Sequence, residues 1–329
     1  MSDFDRFLRA RDDGLIDETP PLLVMPSSES PWATVGERAW HPHKAEHDAL
    51  ERQGMSLTAE LPPSPAALVC CTRDRVETLG LIARAWESVA EGGWLAVSGA
   101  KTDGIDATLK KVRGALGHVE VISKSHGKLG VLVKTPGAPT PPAEWAEAAR
   151  PSVRSHGFQT QPGIFSADKI DEGSRVLAEQ FGDAMKGAVA DLGAGWGWLS
   201  TQALAAAPRI ASLSLYEADS RALDCAKRNV ADPRTAFLWA DVTALTTKDR
   251  AFDWVISNPP FHTGRAGTPA LGQAFIAAAA RILKPSGTAL IVANRHLPYE
   301  QSLSEHFGVW DEIGGNGRFK VFRARKPKR

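Results

Sequence analysis

Val189-Ala190-Asp191-Leu192-Gly193-Ala194-Gly195-Trp196-Gly197 runs from an apolar strand through an acid into a glycine-spaced turn, and a helical stretch, Trp198 to Ala206, follows. Glycine adopts positive φ at little cost and lets a ligand approach the backbone closely. The helix start behind such a turn presents free N–H groups. A dinucleotide fingerprint would place its third glycine at position 198, which is Trp198. The acid sits two residues before the first glycine, where a pyrophosphate would be repelled. The turn therefore predicts an α/β sheet with a ligand at the carboxyl ends of its strands, and the missing glycine and the acid argue against a dinucleotide.

Downstream strands carry acids at their ends. Leu213-Ser214-Leu215-Tyr216 ends in Glu217, placed to accept from two ribose hydroxyls, and Phe237-Leu238-Trp239-Ala240 ends in Asp241, placed for an adenine amino group. Helix capping is the plain alternative for each acid taken alone. Together with Asp191, which suits a cationic centre and an amino group, they point to S-adenosylmethionine (AdoMet). Trp196 and Trp198 can bring a ring near a sulfonium, with packing the simpler role for Trp198.

The fourth strand end is Ser257-Asn258-Pro259-Pro260-Phe261-His262, after the apolar run from Phe252 to Ile256. Two prolines end the strand and rigidify the exit. They bring together a side-chain amide (Asn258), a carbonyl (Pro259) and an aromatic face (Phe261). Two acceptors can hold both hydrogens of an exocyclic amine while its ring stacks, leaving the nitrogen lone pair to attack. An ordinary turn with a buried phenylalanine is the plain alternative. His262 is a secondary candidate, as a base or a phosphate contact.

The rest of the 329 residues is ordinary soluble composition, 43% hydrophobic and 23% charged. No apolar run approaches the ~20 residues of a membrane span and no signal pattern opens the chain, so a cytoplasmic location is expected. Three cysteines, Cys70, Cys71 and Cys225, have neither disulfide nor metal-ligand spacing, and no metal is expected. Residues 1–150 carry 17 basic against 21 acidic side chains and residues 151–329 carry 22 against 17. Arg323, Arg325, Lys326, Lys328 and Arg329 concentrate positive charge at the C-terminus, which favours a polyanion, or else forms a solvated tail.

Residues 1–66 give little periodic signal beyond a possible strand at Leu22 to Met25. From Ala67 onward strands and helices alternate, as in a helix-covered, mostly parallel sheet. Thr135-Pro136-Gly137-Ala138-Pro139-Thr140-Pro141-Pro142 breaks the pattern. The two halves then match in order: Gly92-Gly93-Trp94-Leu95 resembles Ser286-Gly287-Thr288-Ala289, and His126-Gly127-Lys128-Leu129 resembles Asn316-Gly317-Arg318-Phe319. Where the second copy has Asn258 to Phe261, the first has Thr72-Arg73-Asp74-Arg75, and it lacks a Gly-x-Gly turn. The expectation is a duplicated domain whose first copy keeps the scaffold without the chemistry.

Asp191 to Gly197, Glu217, Asp241 and Asn258 to Phe261 together resemble a class I AdoMet-dependent methyltransferase. Pro162 to Ser166, Asn258 to His262, Ile291 to Asn294, Leu297 to Tyr299 and Gly317 to Val321 resemble the ribosomal RNA guanine-N2 methyltransferases of the RsmC/RlmG type, most closely the small-subunit (16S) branch. The resemblance implies two tandem Rossmann-like α/β domains. These would be a degenerate one over 1–140 that supports the fold or holds RNA, a linker over 141–154, and a catalytic one over 155–329. It implies methylation of a guanine amine in rRNA by a monomer acting on the small subunit or an assembly intermediate. It also implies a cofactor site of Phe165, Asp191, Gly193, Ala194, Gly195, Gly197, Glu217, Ala218, Asp241, Val242 and Asn258. RNA contact in the acidic half would need a local patch, such as Arg73, Arg75, Lys110, Lys111 and Arg113. Adenine N6, large-subunit guanine, a protein glutamine amide, or non-catalytic RNA binding are the rival readings.

Overall fold

The computed structural model describes residues 2–124, 126–246, 251–260 and 269–328. Contacts divide the chain into two compact units, one of 1–151 with 161–163, the other of 152–160 with 164–329.

The first unit runs α1 (Asp3–Asp12), β1 (Leu22–Val24), β2 (Arg38–Trp40), α2 (Lys44–Arg52), β3 (Ser56–Leu57), β4 (Ser64–Cys70), α3 (Arg75–Ser88), β5 (Val89–Ala100), α4 (Ile105–Leu116), β6 (Glu120–Lys124), β7 (Gly127–Val133) and α5 (Ala143–Ala148). Its sheet order is β3-β2-β1-β4-β5-β7-β6, parallel except for β7, which is antiparallel to β5 and β6. Among its described residues the stretch 1–66 thus holds α1, a 3-10 turn at Trp32–Thr34, α2, the short strands β1 to β3 and the start of β4. Strands of two or three residues are too short to show a period, so only Leu22 to Met25 was legible there.

The expected linker over 141–154 is instead largely part of this unit. Trp145 of α5 is buried, and Gly80 of α3 lies so close to α5 that an added Cβ would meet Ala149 Cβ at 2.2 Å. The proline-rich stretch before α5 is also fastened: Trp86 Nε1 donates to Pro139 O at 3.0 Å.

The second unit contains the ribbon β8 (Ser152–Val153) and β9 (Gln159–Thr160), then α6 (Glu172–Ala178), β10 (Gly187–Leu192), α7 (Trp198–Ala206), β11 (Ile210–Glu217), α8 (Ser220–Asn229) and β12 (Thr235–Trp239). After these come β13 (Phe252–Ser257), α9 (Pro269–Ile282), β14 (Leu283–Asn294), α10 (Glu300–His306), β15 (Phe307–Gly315) and β16 (Phe319–Pro327). Among the described residues its main sheet has the order β12-β11-β10-β13-β14-β16-β15, strand for strand that of the first unit. Val189 and Ala190 are fully buried, as a central strand covered by helices on both faces requires. From β10 the chain builds β11 and β12 on one side, then crosses to β13 on the other. A crevice opens where the order reverses, between the carboxyl ends of β10 and β13.

Arg323, Arg325 and Lys326 of the expected tail lie in a strand. β16 pairs with β14 and β15, and Asp311 accepts from both Arg323 Nη2 (2.6 Å) and Arg325 Nη2 (3.2 Å). Part of the charge expected to meet a polyanion is neutralised within the sheet. The suggested basic patch of the first unit is likewise divided. Arg73 follows β4 at the carboxyl edge, whereas α4 runs back from that edge and carries Arg113 to its far end, where Nη2 donates to Val119 O. No helix among the described residues is long and apolar enough to cross a membrane.

Candidate active site

Parallel pairing of Leu192 with Ser257 sets the next residues of the two strands, Gly193 and Asn258, side by side at the crevice. Ser257 Oγ ties the strands by donating to Leu192 O at 2.7 Å. Beyond β10 the chain turns at once: Gly193 (φ 75°) and Ala194 both donate to Tyr216 O, at 2.9 and 3.0 Å. Gly197 closes the turn at φ 88°, and an added Cβ would lie 2.6 Å from Val230 Cγ2. Only glycine satisfies both demands.

The acids support this turn. Glu217 accepts from Gly195 N (2.7 Å) and from Asp219 N (2.8 Å), so its carboxylate bridges the turn and the start of α8. Asp191 is fully buried beneath the turn, its Oδ2 accepting from Ser200 Oγ at 2.7 Å. Its Oδ1 has no hydrogen-bond partner among the described residues. Burial, with a smaller contribution from Glu217, pushes the Asp191 carboxyl up to about 7, and the Ser200 hydrogen bond opposes this. Asn229, at the end of α8, fastens β9 to the turn: its Nδ2 donates to Gln159 O and Trp196 O, both at 2.8 Å, and its Oδ1 accepts from Gln159 N at 2.8 Å. The Trp196 ring stacks on His156 with centroids 5.1 Å apart, and its Nε1 donates to Phe165 O at 3.1 Å.

Across the crevice, Asn258 Nδ2 donates to Asp171 Oδ2 and to Ser174 Oγ, each at 2.8 Å, while Asn258 Oδ1 is buried with no partner among the described residues. Pro259 is buried and Pro260 exposed. Phe261 and His262 lie outside the described residues. One cavity is lined by Gly193, Ala194, Gly195, Trp196, Trp198 and Leu199 from the turn and α7, by Asn258, and by Phe165, Ser166, Ile170, Asp171 and Ser174. The glycine turn and Asn258 therefore line one cavity.

Not every expected cofactor residue reaches that wall. Asp191 lies below it, and Gly197, Glu217, Ala218, Asp241 and Val242 are not part of the lining. Asp241 Oδ1 accepts from Thr243 N and Thr243 Oγ1, both at 2.8 Å, the capping role foreseen as its alternative. Val242 is a core residue, and Ala218 O accepts from Trp239 Nε1. Conversely, Asp171 and Ser174 were missed. Their spacing carries a capping signal, which Asp171 fulfils by accepting from Ser174 N at 2.9 Å, but nothing in it reveals a partner 87 residues away.

The matching registers locate what the first unit has in the same places. Val24 pairs with Trp40 and Val69 where Leu192 pairs with Tyr216 and Ser257, and Ala39 pairs with Leu57 where Leu215 pairs with Phe237. Leu23, His41 and Cys70 therefore stand where the second unit has Asp191, Glu217 and Asn258. The counterpart of Asn258 is Cys70, two residues before the expected Thr72. Even the turn survives: Met25 donates to Trp40 O at 3.0 Å with φ 60°, as Gly193 does to Tyr216 O.

Residues 155–323 match the profile of the family described as "Methyltransferase small domain". The chain is similar to the "Ribosomal RNA small subunit methyltransferase C" of Erwinia tasmaniensis (36% identical over 176 residues, 52% of this chain and 49% of that protein) and of Klebsiella pneumoniae subsp. pneumoniae (38% over 169 residues, 50% and 48%). These matches span about half the length of those curated relatives. Among solved structures, a T. thermophilus 16S rRNA N2 G1207 methyltransferase (RsmC), in complex with AdoMet and guanosine, superposes with a TM-score of 0.78 at 26% identity, covering 93% of this chain and 88% of that one.

Proposed function

The chain belongs to the methyltransferase small domain family, and from that premise we propose that it transfers the methyl group of AdoMet to the exocyclic N2 amine of a guanine in small-subunit rRNA. The observation that carries this reading is the shared cavity of the Gly193–Gly195 turn and Asn258, whose amide nitrogen is used internally and whose Oδ1 is a buried acceptor awaiting a donor. The T. thermophilus relative was solved with AdoMet and guanosine, the pair this cavity would have to take.

The residues present fit AdoMet. Bound there, it would supply an electrophilic methyl on a sulfonium. Once ionised, above about pH 7 in the free protein, Asp191 with its unpaired oxygen gives the turn a buried negative centre suited to a cationic ligand and repellent to a pyrophosphate. Glu217, aimed by the bonds from Gly195 N and Asp219 N, stands at the end of β11, where a ribose acceptor is expected. On the substrate side, Asn258 Oδ1 and the Pro259 carbonyl accept the two amine hydrogens, turning the nitrogen lone pair toward the donor. Positioning supplies most of the rate, with effective molarities of about 10⁵ M or more for well-oriented pairs. A paired guanine must first leave its stack, and Phe261 offers a surface worth about 1–3 kcal/mol to the extruded base.

We assign transfer to the second unit and a supporting or RNA-holding role to the first, whose matching positions carry Leu23, His41 and Cys70 instead. Work on ribosomal subunits as a cytoplasmic monomer belongs to the same proposal. The test is transfer of tritiated methyl from AdoMet to small subunits, large subunits and naked 16S rRNA from cells lacking the protein, with release factor as a protein control. N2-methylguanosine in digested small-subunit RNA is expected. Label appearing only in adenosine, in large-subunit RNA or in protein glutamine would replace this reading.

A further inference from the structure

An asparagine side chain has nearly the same shape either way round, but the two orientations are chemically opposite. One offers a carbonyl acceptor, the other two N–H donors. An amine with two hydrogens to place needs the acceptor, so a turned-over Asn258 would meet it donor to donor. Something must fix the amide, and the diproline does not, because it constrains backbone and not the side-chain torsion.

The start of α6 does. Asp171 Oδ2 and Ser174 Oγ each lie 2.8 Å from Asn258 Nδ2. An ionised carboxylate only accepts, so the end of the amide beside Asp171 must be the NH₂. Asp171 is itself held, because the same Oδ2 caps α6 by accepting from Ser174 N at 2.9 Å. Gly173, between the two partners, is packed so closely that an added Cβ would meet Phe319 Cε1 at 2.9 Å, which seats this turn against the start of β16. With both amide hydrogens engaged, Asn258 Oδ1 is the atom left buried without a partner among the described residues.

We infer that Asp171, with Ser174 as the second acceptor, is the positioning residue of the transfer step, locking the Asn258 amide with its carbonyl toward the substrate amine. The inference rests on the reading of Asn258 as the amine acceptor. It makes the first turn of α6, 87 residues upstream, part of the catalytic constellation without touching the reacting atoms.

The test measures single-turnover methyl transfer to small subunits, AdoMet affinity by calorimetry, and Tm. Asp171→Ser keeps a capping oxygen but is one atom too short to hold Asn258. It is expected to lower the transfer rate about 100-fold, as a misplaced reacting group does, with AdoMet affinity within about threefold of wild type and Tm lowered by a few degrees, since the cap is kept and one Asn258 N–H loses its partner. Asp171→Asn, which can still accept through Oδ1, should restore most of that rate. The decisive variant reverses the polarity. Asn258→Asp alone sets two carboxylates about 2.8 Å apart and should be inactive. Combined with Asp171→Asn, the new amide donates to the new carboxylate and leaves its other oxygen for the amine, so the pair should exceed Asn258→Asp alone by about tenfold, a coupling expected only of contacting partners. A double variant no better than Asn258→Asp overturns the inference, as does an Asp171→Ser protein that loses rate and AdoMet affinity in parallel. Absence of transfer by the wild-type protein would instead bring down the proposed function, and this inference with it.

Discussion

Asp191→Asn should make the ligand-free protein more stable and the enzyme worse. The Asp191 carboxyl is fully buried, holds one hydrogen bond from Ser200 Oγ, and is pushed by burial up to about 7. An unfolded aspartate titrates near ~3.9. Below about pH 4 both states carry the proton and the group contributes nothing to the pH dependence. Between about 4 and 7 the unfolded chain has lost its proton and the folded one has kept it, so native stability falls as pH rises. Above about 7 the whole penalty stands. At ~1.36 kcal/mol per pH unit the gap amounts to about 4 kcal/mol.

Asparagine keeps the acceptor for Ser200 and cannot ionise, so it escapes that penalty. Against this, its NH₂ occupies the place of the unpaired Oδ1, and an unsatisfied buried donor costs about 1–3 kcal/mol. Melting curves without ligand should therefore show the variant near or slightly below wild type at pH 5 and above it by several degrees at pH 8, at about 2–4 °C per kcal/mol. Calorimetry should show the opposite for AdoMet: wild-type affinity weakening as pH drops below about 7, and the variant binding at least tenfold more weakly at pH 8 (about 1.4 kcal/mol). A Tm difference that stays flat from pH 5 to 8 would refute the assignment of Asp191 as a destabilising buried acid kept for its charge.

Other sites give simpler outcomes. Asn258→Ala should leave AdoMet affinity within about twofold and cut transfer by at least about 10²-fold, as loss of a preorganised polar contact does; equal loss of both in calorimetry and turnover would make the residue structural. Gly197→Ala forces a side chain into positive φ and against Val230 Cγ2 at 2.6 Å, so chemical denaturation should register a loss of about 2–4 kcal/mol. Asn229→Ala removes the three bonds joining β9 to the turn and should cost about 2–3 kcal/mol by the same measurement, with AdoMet affinity reduced because Trp196 lines the cavity.

What could be read in the sequence divides by range. Strong local patterns predicted β10, the turn, β11 and β13, because periodicity and glycine spacing are written into consecutive residues. The alternation of elements predicted a mostly parallel, helix-covered sheet, whereas the strand order comes from the structure. The opening 66 residues were opaque because β1, β2 and β3 are two or three residues long and receive their definition from neighbours in the sheet. Asp241 shows a limit of another kind. A strand-end acid suits both a cap and an adenine, and in the structure it accepts from Thr243. Asp171 shows the hardest limit, since its bond to Asn258 exists only once α6 has been brought back over the carboxyl end of β13.

The two sheets also explain one another energetically. They share order and register, so differences at matching places reflect what each is kept for. Where the second unit buries Asp191 at a cost of about 4 kcal/mol above neutral pH, the first buries Leu23, which contributes about 1.5–3 kcal/mol by leaving water. Where the second presents Asn258 with an unpaired acceptor, the first has buried Cys70, which asks for no partner. Met25 retains the left-handed turn at the position of Gly193, a conformation costing about 1–2 kcal/mol for a side chain. A sequence free of any cofactor would be expected to shed the buried acid and the orphaned acceptor first, since each costs stability and neither packs. A turn already locked to the Trp40 carbonyl would be the last feature to go. The first unit has this pattern, and under the proposed function the unpaired oxygens of Asp191 and Asn258 are the features a ligand would stabilise.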